Sequence, residues 1–433
     1  MALIFGFLLL ITLIVVGVPI VYAFGAVIIW LVIALGYEPS FLIPTAYNSL
    51  NGVVLLAIPL FVMAGGVMAK GEIGEALVGV VENFVGRVRG ALNIVQTVTC
   101  AVFGSISGSG AATLSAIGSI MAPKMRARGY NMGVAAAVLA AAAPIGMLIP
   151  PSSIQILFAW SAQLSVLAAF LSTLIPGLIL TVLISIVGWT MSRRDQNIVL
   201  SAPVTKREWL LNTRKSTLFA TPALVMPVII LGGIYFGVMT PTEAAAVSVV
   251  YAIPVGMFFY RKLTLKGLKE TLVETANTTG VIMVMLAVIM VLSRILVMEN
   301  VPDKILDVLL LVSENKYVIL LMINVFLIVI GMLMDDVSGT LLCAPILVPI
   351  GLELGVSPYH MAAILGVNLG MGNVTPPTAP FLYLGARIFN TPVKGMLRPM
   401  LCILVFAYLP TLLLTTFVPE LALWLPGTLL GIK

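Results

Sequence analysis

The sequence predicts an all-α polytopic membrane protein built from two inverted-topology repeats, each with a re-entrant helical hairpin and a broken transmembrane helix. Composition, the placement of basic residues and an internal repeat carry that prediction. Of 433 residues, 61% are hydrophobic and only 9% are charged, with a mean hydropathy of +1.16. A soluble domain carries about 25% charged residues, so this chain cannot cover its own surface with polar groups and lipid must be its solvent. The net charge of +6 falls into short clusters between apolar runs. Basic residues so placed set membrane orientation, and no nucleic-acid partner is expected. Cys100, Cys343 and Cys402 lie in apolar segments without CxxC spacing, so neither a disulfide framework nor a zinc site is indicated. The single histidine, His360, follows Pro358 and Tyr359 and reads as a loop or helix-start residue.

The apolar run 3–35 lacks a basic leader and is far longer than the core of a signal peptide, so it reads as mature membrane helix. As one helix it would span about 50 Å against a hydrocarbon core of about 30 Å. Gly17-Val18-Pro19 marks the break. One bent helix and two short ones both fit, which leaves the side of the N-terminus open. Further apolar runs follow at 52–69, 132–148, 152–191 (read as two helices), 217–237, 243–260, 276–297, 317–333, 360–374, 378–390 and 399–418. Four connectors are basic: Arg87 and Arg89; Lys124, Arg126 and Arg128; Arg193 to Lys215; Arg261 to Lys269. Those at 37–51, 238–242 and 353–359 hold no Lys or Arg. The positive-inside rule places the basic set in the cytoplasm and the others in the periplasm of a bacterial inner membrane.

Two units read as too short to cross. Residues 91–104 are apolar for only about 21 Å of helix. The small-residue turn Ser105-Ile106-Ser107-Gly108-Ser109-Gly110 follows, and basic clusters bracket the unit at both ends. That is a hairpin entering from the cytoplasm. The second unit, 317–350, carries Asp335 and Asp336 in its middle and is flanked by the mixed connector 299–316 and the base-free connector 351–359, so it enters from the periplasm. Opposite entry implies inverted halves. An offset of 226, which lays Pro150-Pro151 on Pro376-Pro377, superposes residues 104–151 on 330–377 without a gap. Pro123 then meets Pro349, Gly129 meets Gly355, and Gly146 meets Gly372. A Pro-Pro pair in a membrane segment leaves carbonyls without donors, and hydrocarbon does not tolerate that. Each break should therefore line a cavity or hold an ion beside its hairpin tip. Freed carbonyls suit Na⁺, and exposed half-helix N-termini suit an anion.

The runs PLFVMAGGVMAKG (59–71), GSISGSGAATLSAIG (104–118), PIGMLIPPS (144–152), TPTEAAAVSVVYA (240–252) and NLGMGNVTPPTAPFL (368–382) resemble the large membrane subunit of tripartite ATP-independent periplasmic (TRAP) transporters. The resemblance covers essentially the whole chain. It implies an ion-coupled translocator, usually Na⁺-driven, that works with a small membrane subunit and a periplasmic substrate-binding protein delivering an organic acid. It also implies an elevator motion of a transport domain against a scaffold. The expected division is 1–90 scaffold helices and arm, 91–168 transport domain, 169–316 scaffold, 317–390 transport domain, and 391–433 C-terminal helix. No Walker lysine stands in a GxxxxGK[ST] context, and membrane-depth charges are too few for most enzymes, so no catalysis is expected. A stand-alone carboxylate symporter of related fold is the alternative.

The expected first Na⁺ site uses Ser105, Gly108, Gly146, Ile149 and Pro150, and repeat symmetry adds a second at Gly331, Gly372, Thr375 and Thr378. Ser107, Ser109, Asp335, Asp336 and Asn373 are the expected substrate residues, with Arg294 taking a carboxylate. Arg294 snorkelling to the interface, or pairing with Asp335 or Asp336, is the plainer reading. The segment 72–90, with Glu72, Glu75, Glu82, Arg87 and Arg89, is expected as an interfacial amphipathic helix, or as a brace that also contacts the small subunit.

Overall fold

The computed structural model describes residues 1–85, 88–200, 205–376 and 378–432. Arg87 of the first basic cluster and Pro377 of the second break lie outside the described residues. Every regular element among the described residues is helical, and eight helices are long and apolar enough to cross a membrane. Two of these, Lys316–Leu333 and Asp336–Glu353, are the arms of the unit read from sequence as too short to cross, because each runs a full 18 apolar-rich residues. A ninth span is the bent pair Met132–Leu148 and Ser153–Ser161, which meet at 45°.

The N-terminal run is two helices, Ala2–Val15 and Ile20–Leu35, joined at Gly17 with φ +90. The helices fold back on each other, because Trp30 Nε1 donates to the Ala2 carbonyl at 3.1 Å and the Phe5 and Trp30 rings lie 4.5 Å apart. Both ends of the run therefore lie on the same side.

Each repeat holds its hairpin. The first comprises Ala91–Ser107 and Gly110–Ala127, and the second Lys316–Leu333 and Asp336–Glu353. Turns of two residues separate the arms, Gly108-Ser109 and Met334-Asp335, and the offset of 226 lays one on the other. The breaks also correspond. Met132–Ala142 and the turn Ile145–Leu148 lead to Ser153–Ser161, while Pro358–Gly372 leads to Pro380–Phe389. Gly129 and Gly355, paired by the repeat, share a left-handed backbone at φ +74 and +68, where a side chain would be strained.

The repeats interlock. Ser153–Ser161 from the first break packs on Asp336–Glu353 of the second hairpin, and Pro380–Phe389 packs on Gly110–Ala127 of the first. Val166–Ser192 also packs on Ala91–Ser107 and Pro358–Gly372, joining the hairpin-and-break body although the sequence division put most of it with the scaffold. Around that body stand Ala57–Lys70, Lys206–Tyr235, Pro241–Pro254 and Leu265–Met298. The expected arm is the helix Ile73–Val85, wedged between Lys206–Tyr235 and Ala91–Ser107 with Ile73, Ala76, Leu77, Val78 and Val80 buried. That packing braces the first hairpin against Lys206–Tyr235. A last helix, Glu420–Leu430, packs on Val166–Ser192, where the sequence was read as one C-terminal helix over 391–433.

Candidate functional site

Proline chemistry builds the first break. Pro150 and Pro151 have no N–H, so the carbonyls of Gly146 and Met147 lose the donors a continuing helix would supply. The hairpin tip comes close enough to meet them. A Cβ built on Gly146 would stand 2.9 Å from Gly104 Cα and 3.1 Å from Thr113 Oγ1, so two backbones touch where only glycine fits. Ser153 ties the far side, donating to the Gly108 carbonyl through its backbone N–H at 3.3 Å and its hydroxyl at 2.9 Å.

The second break repeats this plan with its own atoms. Gly331 and Gly372 are in backbone contact, and the Thr378 hydroxyl donates to the Met332 carbonyl. The Thr375 hydroxyl donates to Met371 O at 2.7 Å, while its N–H reaches Gly372 O at 3.0 Å. The two predicted groups are thus each gathered at one hairpin tip and its own break. Several members already use their polar atoms: Ser105 Oγ donates to Val102 O at 2.7 Å, and the Gly108 carbonyl accepts the two Ser153 bonds.

Between the tips and Leu265–Met298 lies a cavity of about 600 Å³. Ser109 and Asp335 cap the helices that point at it. Ser109 Oγ accepts from Ala112 N at 3.4 Å, and Asp335 Oδ2 accepts from Val337 N at 3.1 Å and Ser338 N at 3.4 Å. Two helix N-termini, each a partial positive charge with unpaired N–H groups, therefore open on one space. Ser153 and Phe381 complete that wall, and Asp336 lines the cavity beside its capping neighbour. Facing them on Leu265–Met298 are Thr271, Glu274, Thr275, Asn277, Thr278 and Met285. All of these but Met285 sit on the half of the helix nearest Lys266 and Lys269, so the cavity opens toward that basic end. Lys70 stands there and pairs with Glu270 at 3.2 Å and Glu274 at 3.4 Å.

Of the predicted substrate residues, Ser109, Asp335 and Asp336 line the cavity. Ser107 is buried against Gly65, its hydroxyl 3.0 Å from Thr113 Oγ1. Asn373 is also buried, and neither its side-chain oxygen nor its nitrogen has a partner among the described residues. Arg294 is exposed, lies nine residues beyond the last cavity residue of its helix, and makes no ion pair with Asp335 or Asp336. No lysine or arginine lines the cavity among the described residues.

Sequence reading missed the facing wall. Its signal was there: Thr271, Glu274, Thr275 and Thr278 recur at the three- and four-residue spacing of one helix face.

Known proteins show the same build. The family described as the Tripartite ATP-independent periplasmic transporter, DctM component, matches residues 7–421. The isethionate TRAP transporter permease protein DctMQ of Oleidesulfovibrio alaskensis is 34% identical over 95% of this chain, which spans 64% of that relative's length. The C4-dicarboxylate large permease DctM of Pseudomonas aeruginosa is 34% identical, covering 87% of this chain and 86% of its own. The sialic acid large permease SiaM of Vibrio cholerae is 33% identical, covering 89% and 88%. Among solved structures, the Alcanivorax borkumensis YdaH transporter superposes with a TM-score of 0.63 over 90% of both chains at 16% identity, a likeness of fold. With its interlocked hairpins, paired breaks and this match over almost its whole length, the chain belongs to the DctM family of TRAP transporter large membrane subunits.

Proposed function

We propose that this chain is the translocating subunit of a TRAP system of the bacterial inner membrane. It takes up an organic acid handed over by a periplasmic substrate-binding protein, together with a small membrane subunit and coupled to Na⁺. The observation that carries the reading is the convergence of two capped helix N-termini, one from each hairpin, on a single cavity. The Ser109 terminus can hold an anion without a basic side chain, whereas the Asp335 terminus is already filled by its own carboxylate. The wall is not uniform. The Ser109 end carries hydroxyl and backbone N–H groups and no carboxylate, whereas Asp335 and Asp336 put carboxylates at the other end. A ligand with its carboxylate toward Ser109 and hydroxyl or amino groups toward Asp336 fits that polarity. Na⁺ at the two tip-and-break junctions would add the positive charge that the lining lacks.

The hairpin-and-break body moves as an elevator against the surrounding helices, and the cavity opening toward Lys266 and Lys269 is its cytoplasm-facing position. Val166–Ser192 travels with the moving body, to which its packing ties it. Arg294 takes no part in binding.

The test is uptake of radiolabelled organic acids into proteoliposomes holding both membrane subunits, with purified binding protein outside and no ATP. An inward Na⁺ gradient should drive accumulation, and choline in its place should abolish it. Accumulation without Na⁺ at fixed pH refutes the coupling. Accumulation without binding protein makes the chain a stand-alone symporter.

A further inference from the structure

Two adjacent residues of the brace helix Ile73–Val85 reach in opposite directions. The Glu82 carboxylate faces the base of the first hairpin, where Oε2 pairs with Lys124 Nζ and Oε1 accepts from Arg128 Nη2 at 2.5 Å. Asn83 faces the other way, donating from Nδ2 to Ser216 Oγ at 2.7 Å and accepting at its backbone carbonyl from Trp209 Nε1 at 2.9 Å. Lys124 and Arg128 belong to the hairpin-and-break body, and Trp209 and Ser216 to the surrounding helix Lys206–Tyr235.

A second connection converges on the same place. The segment after Val166–Ser192, which leads back to the surrounding helices, docks on the hairpin base, with Val199 N–H donating to the Arg128 carbonyl at 3.0 Å. Its Asn197 carbonyl closes over Gly129.

We propose that Glu82 and Asn83 form a latch that holds the transporter in its cytoplasm-facing rest position, Glu82 gripping the moving body and Asn83 the fixed helices. The proposal rests on the elevator reading above. The three partners of the Glu82 cluster are between 17% and 33% exposed in their side chains, so the pairs are shielded enough to count and accessible enough to break. Sliding the body along the membrane normal displaces Lys124 and Arg128 relative to Trp209 and Ser216. The brace spans both sets, so either the Glu82 pairs or the Asn83 bonds must open. A carboxylate leaving two cations near the cytoplasmic surface is readily rehydrated, which makes Glu82 the releasing side. Glu82 is thus a positioning residue for translocation, since it touches neither the cavity nor the breaks.

The experiment uses the full complex with its small membrane subunit in lipid nanodiscs. Spin labels at Val250→Cys on a surrounding helix and Leu352→Cys on the second hairpin report the position of the body, in a Cys402→Ser background. Both label sites are exposed. The parent should show a main distance and a minor one, whose share grows with Na⁺ and loaded binding protein. Glu82→Gln should raise the minor share roughly three- to tenfold, as expected for losing two partly shielded pairs. The charge-reversed triple variant, Glu82→Lys with Lys124→Glu and Arg128→Glu, should return it to the parental value, which a merely structural role would not predict.

An unchanged share in Glu82→Gln overturns the latch while leaving the elevator standing. Should that variant fail to assemble, the parent decides by itself. Its minor share must rise between about 0.02 M and about 0.5 M KCl as the pairs are screened, and no rise overturns the latch. One distance in every variant and condition overturns the elevator reading and the latch with it.

Discussion

Gly372→Ala should cripple the protein, and the reason can be worked from the contact it would make. The added methyl would fall on the backbone of Gly331, closer to its Cα and carbonyl carbon than side-chain carbons pack. Neither neighbour is the end of a flexible side chain, so the hairpin arm Lys316–Leu333 must move away from its break. Inserting a methylene into a well-packed core costs about 1–3 kcal/mol, and a contact against rigid backbone belongs at the upper end. Gly146→Ala meets Gly104 Cα at 2.9 Å and Thr113 Oγ1 at 3.1 Å, so it should lose somewhat less. Gly25→Ala and Gly280→Ala are the controls. Each sits inside a helix with nothing within 4 Å of the added carbon, and alanine is the better helix former by about 1 kcal/mol. The assay is thermal unfolding of the purified chain in one detergent, beside proteoliposome uptake. Gly372→Ala should melt lowest and transport least, Gly146→Ala should follow, and the controls should transport like the parent and melt at or slightly above it. If Gly372→Ala melts and transports like Gly25→Ala, the backbone contact at the second break is not what the geometry says.

Ser153→Ala removes the hydroxyl bond to Gly108 O but keeps the backbone one, and should cost about 1 kcal/mol in melting experiments with a measurable fall in uptake. Glu274→Gln takes a negative charge from the cavity mouth. Uptake of an anionic substrate should then half-saturate at a lower concentration in dilute buffer, and the difference should shrink at high salt. Arg294→Lys should transport at close to the parental rate and change stability by less than about 0.5 kcal/mol, because the side chain is exposed and away from the cavity; a large loss in uptake by a normally folded variant would return Arg294 to the pathway.

Much of this architecture was legible because membrane physics leaves few choices. Proline pairs withhold donors whatever surrounds them, so Pro144, Pro150 and Pro376 marked the breaks without any tertiary information. Basic connectors set the expected entry side of each hairpin by charge alone. What stayed hidden depends on which face of a helix meets which neighbour. Thr271, Glu274, Thr275 and Thr278 looked like the ragged start of an apolar span, and only packing against the hairpin tips makes them a cavity wall. Arg294 drew attention for the opposite reason. A charge among apolar residues stands out in a sequence, but nine residues along a helix turn it to roughly the opposite face from Met285 and carry it about 13 Å along the axis.

The repeat itself held one subtlety that a linear offset cannot express. At 226 residues the tips, the breaks and the glycines at 129 and 355 superpose, and Ser105 falls on Gly331. In space, however, it is Gly104 that touches Gly146, while Gly331 touches Gly372. The arms entering the two hairpins are therefore out of register by one residue, or about 100° of helical rotation. The glycine requirement follows the contact and not the offset: each arm has its glycine at the point of closest approach, and the position one step along is free to be Ser105 in one repeat and Met332 in the other. A serine beside the first contact and a methionine beside the second give the two junctions different chemistry despite their shared plan. Substitutions carried from one junction to the other by sequence alignment alone will land on the wrong face of the arm.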